Sequence, residues 1–141
     1  MQRFDEQREV RATAAAVWDV LTDPSQVPTW LTIARAVDAD CTPEAGQVIR
    51  VTGGHLGVAR TVTARVDVFE PTERYGWSVD DPLHLRFRYA LSGTGDRTHL
   101  TAAVEADLQG LPRVATRLAV RSLRREFSRS VDRLAELAQG R

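Results

Sequence analysis

Apolar residues along the chain change their period twice, and each change predicts a change of element. Residues 2–10, QRFDEQREV, are polar apart from Phe4 and Val10 and read as a weak first strand. Val17, Val20 and Leu21 then recur at helical spacing, with Trp18 widening the stripe. With Thr13 as N-cap, they predict a helix running to about Leu21. Asp23 follows as a second cap, Pro24 suits a first helical position, and Gln26 falls where a capping-box partner would. A second brief helix is expected there, cut short by Pro28.

From Ile33 onward the period is two. Strands are predicted at 33–40, 47–52, 58–69, 74–79, 83–92 and 97–107. They are separated by PEAG (43–46), GGHLG (53–57), EPTE (70–73), DDP (80–82) and SGTGD (92–96). Links this short join antiparallel neighbours. Leu83, Leu85, Phe87, Tyr89 and Leu91 share one face, opposite His84, Arg86 and Arg88. Pro112 then opens a helix over about 112–138, roughly 40 Å long. Its buried stripe is expected to begin at Leu111, Val114, Ala115, Leu118 and Ala119. It continues through Leu123, Phe127, Val131, Leu134 and Ala138.

The order is therefore strand, two short helices, six strands and one long helix, an α+β arrangement over a single domain, 1–141. A seven-stranded antiparallel sheet has to bury one face, and only the last helix is long enough to cover it. Sheets twist, so this one should curl around that helix. With 18 alanines and only nine aromatic residues to fill the space between, an internal cavity is expected.

Composition narrows the chemistry. All 19 basic residues are arginine, so lysine Schiff-base chemistry is excluded. The single cysteine, Cys41, excludes an internal disulfide and a four-thiolate zinc site and reads as a small buried hydrophobe. His55, His84 and His99 show no metal-ligand spacing, GGHLG lacks the lysine of a phosphate loop, and there is no GxSxG elbow. No metal or cofactor is expected. With no membrane-length apolar run and no targeting segment at the N-terminus, a soluble, cytoplasmic protein without stable membrane insertion is expected.

Charge is zero overall but segregated. Residues 1–110 carry 11 Arg and 16 acids, net −5, whereas residues 111–141 carry 8 Arg and 3 acids, net +5. Arg113, Arg117, Arg121, Arg125, Arg129 and Arg133 form a ladder at spacing four. It reads as a solvated outer face whose charge would suit the acidic remainder of a second subunit in a homodimer. A docking module for an anionic surface is the other use of such a stripe. With no net positive charge and with Glu126, Asp132 and Glu136 near the ladder, nucleic acid is not the expected partner.

Several of these residues carry a resemblance. Val10-x-Ala12, Val17-Trp18-x-x-Leu21-x-Asp23, Pro28-x-Trp30, the Gly93-Thr94-Gly95 turn and the terminal helix resemble the START-like helix-grip superfamily. The similarity is to its bacterial polyketide cyclase/dehydrase and lipid-transport branch (SRPBCC). It implies a helix-grip fold in which the two short helices and nearby hairpin loops gate a deep cavity. Members include lipid carriers, ligand receptors, cyclases and co-chaperones, so the fold alone does not select among them.

The first functional expectation is a binding protein for a small hydrophobic or amphipathic molecule such as a lipid, quinone or polyketide-like compound. Trp30, Trp77, Phe87, Tyr89, Val62, Leu118 and Phe127 are its candidate ligand-contacting residues. The alternative is a cyclase or dehydratase that positions its substrate and polarises a ketone. Thr63-Ala64-Arg65 resembles the Ser/Thr-x-Arg pair implicated in such aromatases. Where those enzymes place an aromatic residue before the lid proline and a tyrosine on the next strand, this chain has Val27 and Ala34. Alternation puts Thr63 and Arg65 opposite Val62, Ala64, Val66 and Val68, and Arg60 on the valine side; a β-bulge would reverse Arg65.

Overall fold

The computed structural model describes residues 2–32, 34–39, 44–55, 58–80, 84–107 and 112–140, with the side chains of His55, Val58, Ala59 and Arg60 outside that description. Seven strands form one antiparallel sheet: β1 (Gln2–Val10), β2 (Ala34–Ala39), β3 (Val48–His55), β4 (Val58–Glu70), β5 (Arg74–Val79), β6 (His84–Thr94) and β7 (Arg97–Asp107). Their order is β1-β7-β6-β5-β4-β3-β2, so each strand from β2 to β7 lies beside its sequence neighbours and the first strand closes against the last. Two short helices, α1 (Ala14–Thr22) and α2 (Val27–Trp30), connect β1 to β2, and α3 (Arg113–Gln139) ends the chain. The predicted strand–helix order and the helix-grip α+β architecture are therefore observed.

Alternation sorts the sheet's two faces. On β6, Phe87, Tyr89 and Leu91 are buried and Leu85 is half-buried, while His84 and Arg86 on the other face are exposed. On β1, the inner face carries Phe4, Glu6, Arg8 and Val10, so the edge that meets α3 is partly ionic. Arg8 donates to Asp132 (2.7 Å) and Ser128 (3.1 Å) of α3 and to Glu6 (2.9 Å). The Arg124 guanidinium lies 5.1 Å above the Phe4 ring.

The hairpin between β6 and β7 turns through Gly95, at φ +61°, and presses on the start of α1. A Cβ on Gly93 would stand 2.9 Å from the Ala14 Cβ, so the backbone contact there requires glycine. The GGHLG segment is more strand than loop: β3 and β4 stay paired out to His55 and Val58, and Leu56 and Gly57 lie outside the described residues.

Two expectations are corrected. The second helix is not at Pro24–Gln26 but at Val27–Trp30, with Pro28 inside its first turn rather than ending it. An N–H in that turn has no intrahelical partner to lose, so proline fits. Asp23 caps the end of α1 and then holds a turn, accepting from Ser25 N (3.0 Å), Ser25 Oγ (2.7 Å) and Gln26 Nε2 (3.1 Å). The stripe of α3 is the second correction. Its buried members are Phe127, Ser130, Val131, Leu134, Ala135 and Ala138, all in the later turns. Val114 and Leu118 are 73% and 63% exposed, and Leu111 lies outside the described residues.

Candidate functional site

The inner face of the sheet, α3 and the two short helices meet in a layer of aromatic rings. Thr13 caps α1, its hydroxyl accepting from Ala16 N (3.1 Å), and the helix buries Val17, Trp18, Val20 and Leu21. Trp18 packs edge-on to Phe69 and Tyr75, with centroids 5.4 and 5.8 Å away. α2 delivers Trp30, which is buried, and the next residues fix it. Thr32 N donates to Ser130 Oγ (3.1 Å), and the Thr32 hydroxyl donates to the Glu126 carboxylate (2.5 Å), both on α3. The short helix is thus tied to the long one at its exit.

Beneath α2 the rings connect three layers. Trp77 of β5 and Phe87 of β6 are directly paired and stack at 4.0 Å with 12° between planes. Phe87 meets Phe127 of α3 at 6.3 Å. Trp30 stands against Tyr89 at 6.0 Å and 88°, an edge-to-face pair between lid helix and sheet. Leu31, Ala64, Val66 and Val79 complete an apolar surround.

Buried hydroxyls elsewhere are paired within the chain. Thr22 donates to Trp18 O (2.9 Å), Thr98 to Ala12 O (2.8 Å) and Ser130 to Glu126 O (2.8 Å). The indole Nε1 of Trp30 and the hydroxyl of Tyr89 are different: both are buried without a hydrogen-bond partner among the described residues. Burial, reinforced by nearby Tyr75, raises the Tyr89 pKa well above the ordinary phenol value, so this group keeps its proton. Burial raises Tyr75 likewise.

The predicted site residues divide clearly. Trp30, Trp77, Phe87, Tyr89 and Phe127 come together in the ring layer, and Val62 is half-buried on the inner face of β4. Leu118 does not join them; it is exposed on α3. Thr63 and Arg65 are exposed on the outer face, so the Thr-x-Arg pair does not reach the interior. A bulge does exist on β4, but it falls at Asp67, between the pairs Val66↔Trp77 and Val68↔Gly76, beyond Arg65. Its effect is to turn Phe69 inward beside Tyr75 and leave Asp67 outside, accepting from Ser78 (2.6 Å) and Arg88 (3.0 Å). Arg60 pairs through its backbone with Gly53, and its side chain lies outside the described residues, as do His55's side chain and all of Cys41.

The sequence reading missed Phe69, whose inward turn depends on that bulge, and the Arg8–Asp132 pair, whose partners are far apart in the chain. His99 pairs with Glu9 across β7 and β1 on the outer face, and His84 lies 3.5 Å from Asp80. Among the described residues, no group of three His, Cys, Asp or Glu side chains is placed to hold a metal ion, and no helix is long and apolar enough to cross a membrane. Every member of the arginine ladder is exposed, and Arg129 lies 3.6 Å from Glu126. A separate surface depression of about 280 Å³ lies between the start of α1 and the β6–β7 turn, lined by Arg11, Thr13, Asp96 and Arg97 among others.

An antiparallel sheet closed over one long helix, with two short helices inserted after the first strand, defines the α+β helix-grip class. The chain belongs to the polyketide cyclase/dehydrase and lipid transport family, whose model matches residues 1–139. The fold is shared with TTHA0849 of Thermus thermophilus, at TM-score 0.82 and 11% identity over 99% of this chain and 98% of that one. It is shared with the Zhui aromatase/cyclase of Streptomyces at 0.81 and 17%, over 98% and 93%. A START superfamily protein of Mycobacterium smegmatis is similar at 0.70 and 16%, over 98% and 94%. These identities establish common architecture only. No curated protein matches the chain in sequence.

Proposed function

We propose that the protein binds a small hydrophobic or amphipathic molecule between the sheet and α3, under α1 and α2. The observation that carries this reading is the ring layer. Four elements each contribute buried aromatic side chains to one apolar region, namely Trp30 from α2, Trp77 from β5, Phe87 and Tyr89 from β6, and Phe127 from α3. Rings of this size bury much apolar area with few rotamers to lose, which suits the wall of a site that opens and recloses. Membership in a family of polyketide cyclases, dehydrases and lipid transporters supports the same reading. Lipids, quinones and polyketide-like compounds are its ligand classes.

Native mass spectrometry of the purified protein, with thermal shifts against a panel of these compounds, tests it. A ligand at about 100 times its Kd should raise Tm by roughly 5–10 °C. A panel that leaves both mass and Tm unchanged contradicts it. Cyclase or dehydratase activity draws no support from Thr63 and Arg65, which face outward. That alternative rests on Arg60, and loss of turnover in Arg60→Ala with an intact fold is the result that would establish it. A docking role for α3 is favoured by the exposure of Val114 and Leu118 among arginines. Salt-sensitive co-sedimentation with anionic vesicles, lost in Arg117→Ser/Arg121→Ser, is its test.

A further inference from the structure

The unpaired polar atoms of Trp30 and Tyr89 say what kind of molecule the interior takes. Each ring is almost wholly buried, at 1% and 2% exposure, and the two are in edge-to-face contact across the boundary between lid helix and sheet. Buried N–H and O–H groups are ordinarily paired, as Thr22, Thr98 and Ser130 are here. Phenylalanine at position 89 would fill nearly the same space with no unpaired dipole. The unpaired hydroxyl of Tyr89 is therefore unexplained by packing, and the rings that carry the two polar atoms meet where α2 contacts the sheet.

An indole N–H only donates, and a phenol that keeps its proton donates as well. The complementary group is an acceptor. Among the described residues, the buried polar ones are Thr22, Gln47, Thr98 and Ser130, none of them a cation. An ionised carboxylate brought among these neutral dipoles would lose its hydration with no counter-charge from a described buried residue to replace it. A carbonyl oxygen on an apolar body meets both conditions.

We infer that Trp30 and Tyr89 form a two-donor subsite for a neutral carbonyl oxygen — a ketone, quinone, ester or amide — on a hydrophobic ligand whose apolar body lies along Phe87 and Phe127. This rests on the ligand-binding reading above and adds the ligand's polar chemistry and its orientation, oxygen toward α2. Because Trp30 belongs to α2, engagement of the oxygen also couples occupancy to the seating of that helix, which Thr32 already ties to α3.

Three probes of one shape separate the possibilities: 2-acetylnaphthalene, its hydrocarbon isostere 2-isopropylnaphthalene, and 2-naphthoate. Dissociation constants are measured by titration calorimetry for the wild type, Tyr89→Phe and Trp30→Phe. The ketone is expected to bind about tenfold tighter than the hydrocarbon, the worth of one or two net hydrogen bonds. The ketone-over-hydrocarbon preference should fall to within about twofold in Tyr89→Phe and shrink in Trp30→Phe. Equal binding of ketone and hydrocarbon to the wild type, or an undiminished preference in both variants, overturns the subsite but leaves the ligand-binding reading standing. Tightest binding by naphthoate overturns the neutral-acceptor assignment in the same way. Failure of all three probes, the hydrocarbon included, counts against the ligand-binding reading itself and takes the subsite with it.

Discussion

The indole of Trp30 meets the phenol ring of Tyr89 edge to face, 6.0 Å between centroids, although the two are carried by different layers and lie far apart in sequence. This contact joins the short helix to the sheet, and its Trp30 Nε1 and Tyr89 hydroxyl are buried without a hydrogen-bond partner among the described residues. Its energetics give the first prediction. A buried unpaired hydroxyl costs about 1–3 kcal/mol, so Tyr89→Phe should leave the ligand-free protein as stable as the wild type or up to about 2 kcal/mol more stable. Urea unfolding measures this. A loss of more than about 1 kcal/mol would mean that the hydroxyl has an internal partner.

The two halves of α3 should respond very differently to truncation. Phe127 is buried against Phe87, and Phe127→Ala should cost about 3–5 kcal/mol through the cavity it leaves. Leu118 is exposed, and Leu118→Ala should change stability by no more than about 0.5 kcal/mol. Equal losses at the two positions would contradict the division of the helix.

Arg65 faces outward from β4, with Val48 and Ser78 as its strand partners. Arg65→Ala should therefore keep ligand affinity within about twofold and stability within about 0.5 kcal/mol. A calorimetric titration showing a tenfold loss would place this arginine in the site after all.

These contrasts mark where the sequence could be read and where it could not. The period of two assigned Phe87, Tyr89 and Leu91 to one face correctly, because a half-buried strand has only two ways to point. Alternation also placed Arg65 outside. It failed for Phe69, because the bulge at Asp67 exists only through the pairing of β4 with β5. Asp23-Pro24-Ser25-Gln26 satisfies the start of a helix and a capped turn about equally well, and the chain uses the turn. The stripe on α3 was visible throughout, but periodicity says which residues share a face and not what covers them. Val114 and Leu118 share it uncovered. The Trp30–Tyr89 contact had no local signal, since it is made by the packing of one layer on another.

The buried tyrosines make a prediction about alkaline stability. In the unfolded chain a tyrosine loses its proton near pH 10.0, whereas burial holds the protons of Tyr89 and Tyr75 to higher pH. Above pH 10 the folded state therefore binds more protons than the unfolded state. The stabilisation is complete below that pH and is lost as pH rises beyond it, by about 1.4 kcal/mol per pH unit for each tyrosine. Urea midpoints between pH 9 and 11.5 should show this fall for the wild type, with about half the slope in Tyr89→Phe. A flat profile would indicate that neither phenol is sealed from solvent.

The central claim is that a guest enters beside Trp30, and intermolecular NOEs to 2-acetylnaphthalene in ¹⁵N-labelled protein test it most directly. Cross-peaks from the naphthalene protons to the Trp30 indole N–H, assigned by their loss in Trp30→Phe, are the expected result. Cross-peaks confined to the exposed face around Val114 and Leu118, with none to Trp30, would contradict it.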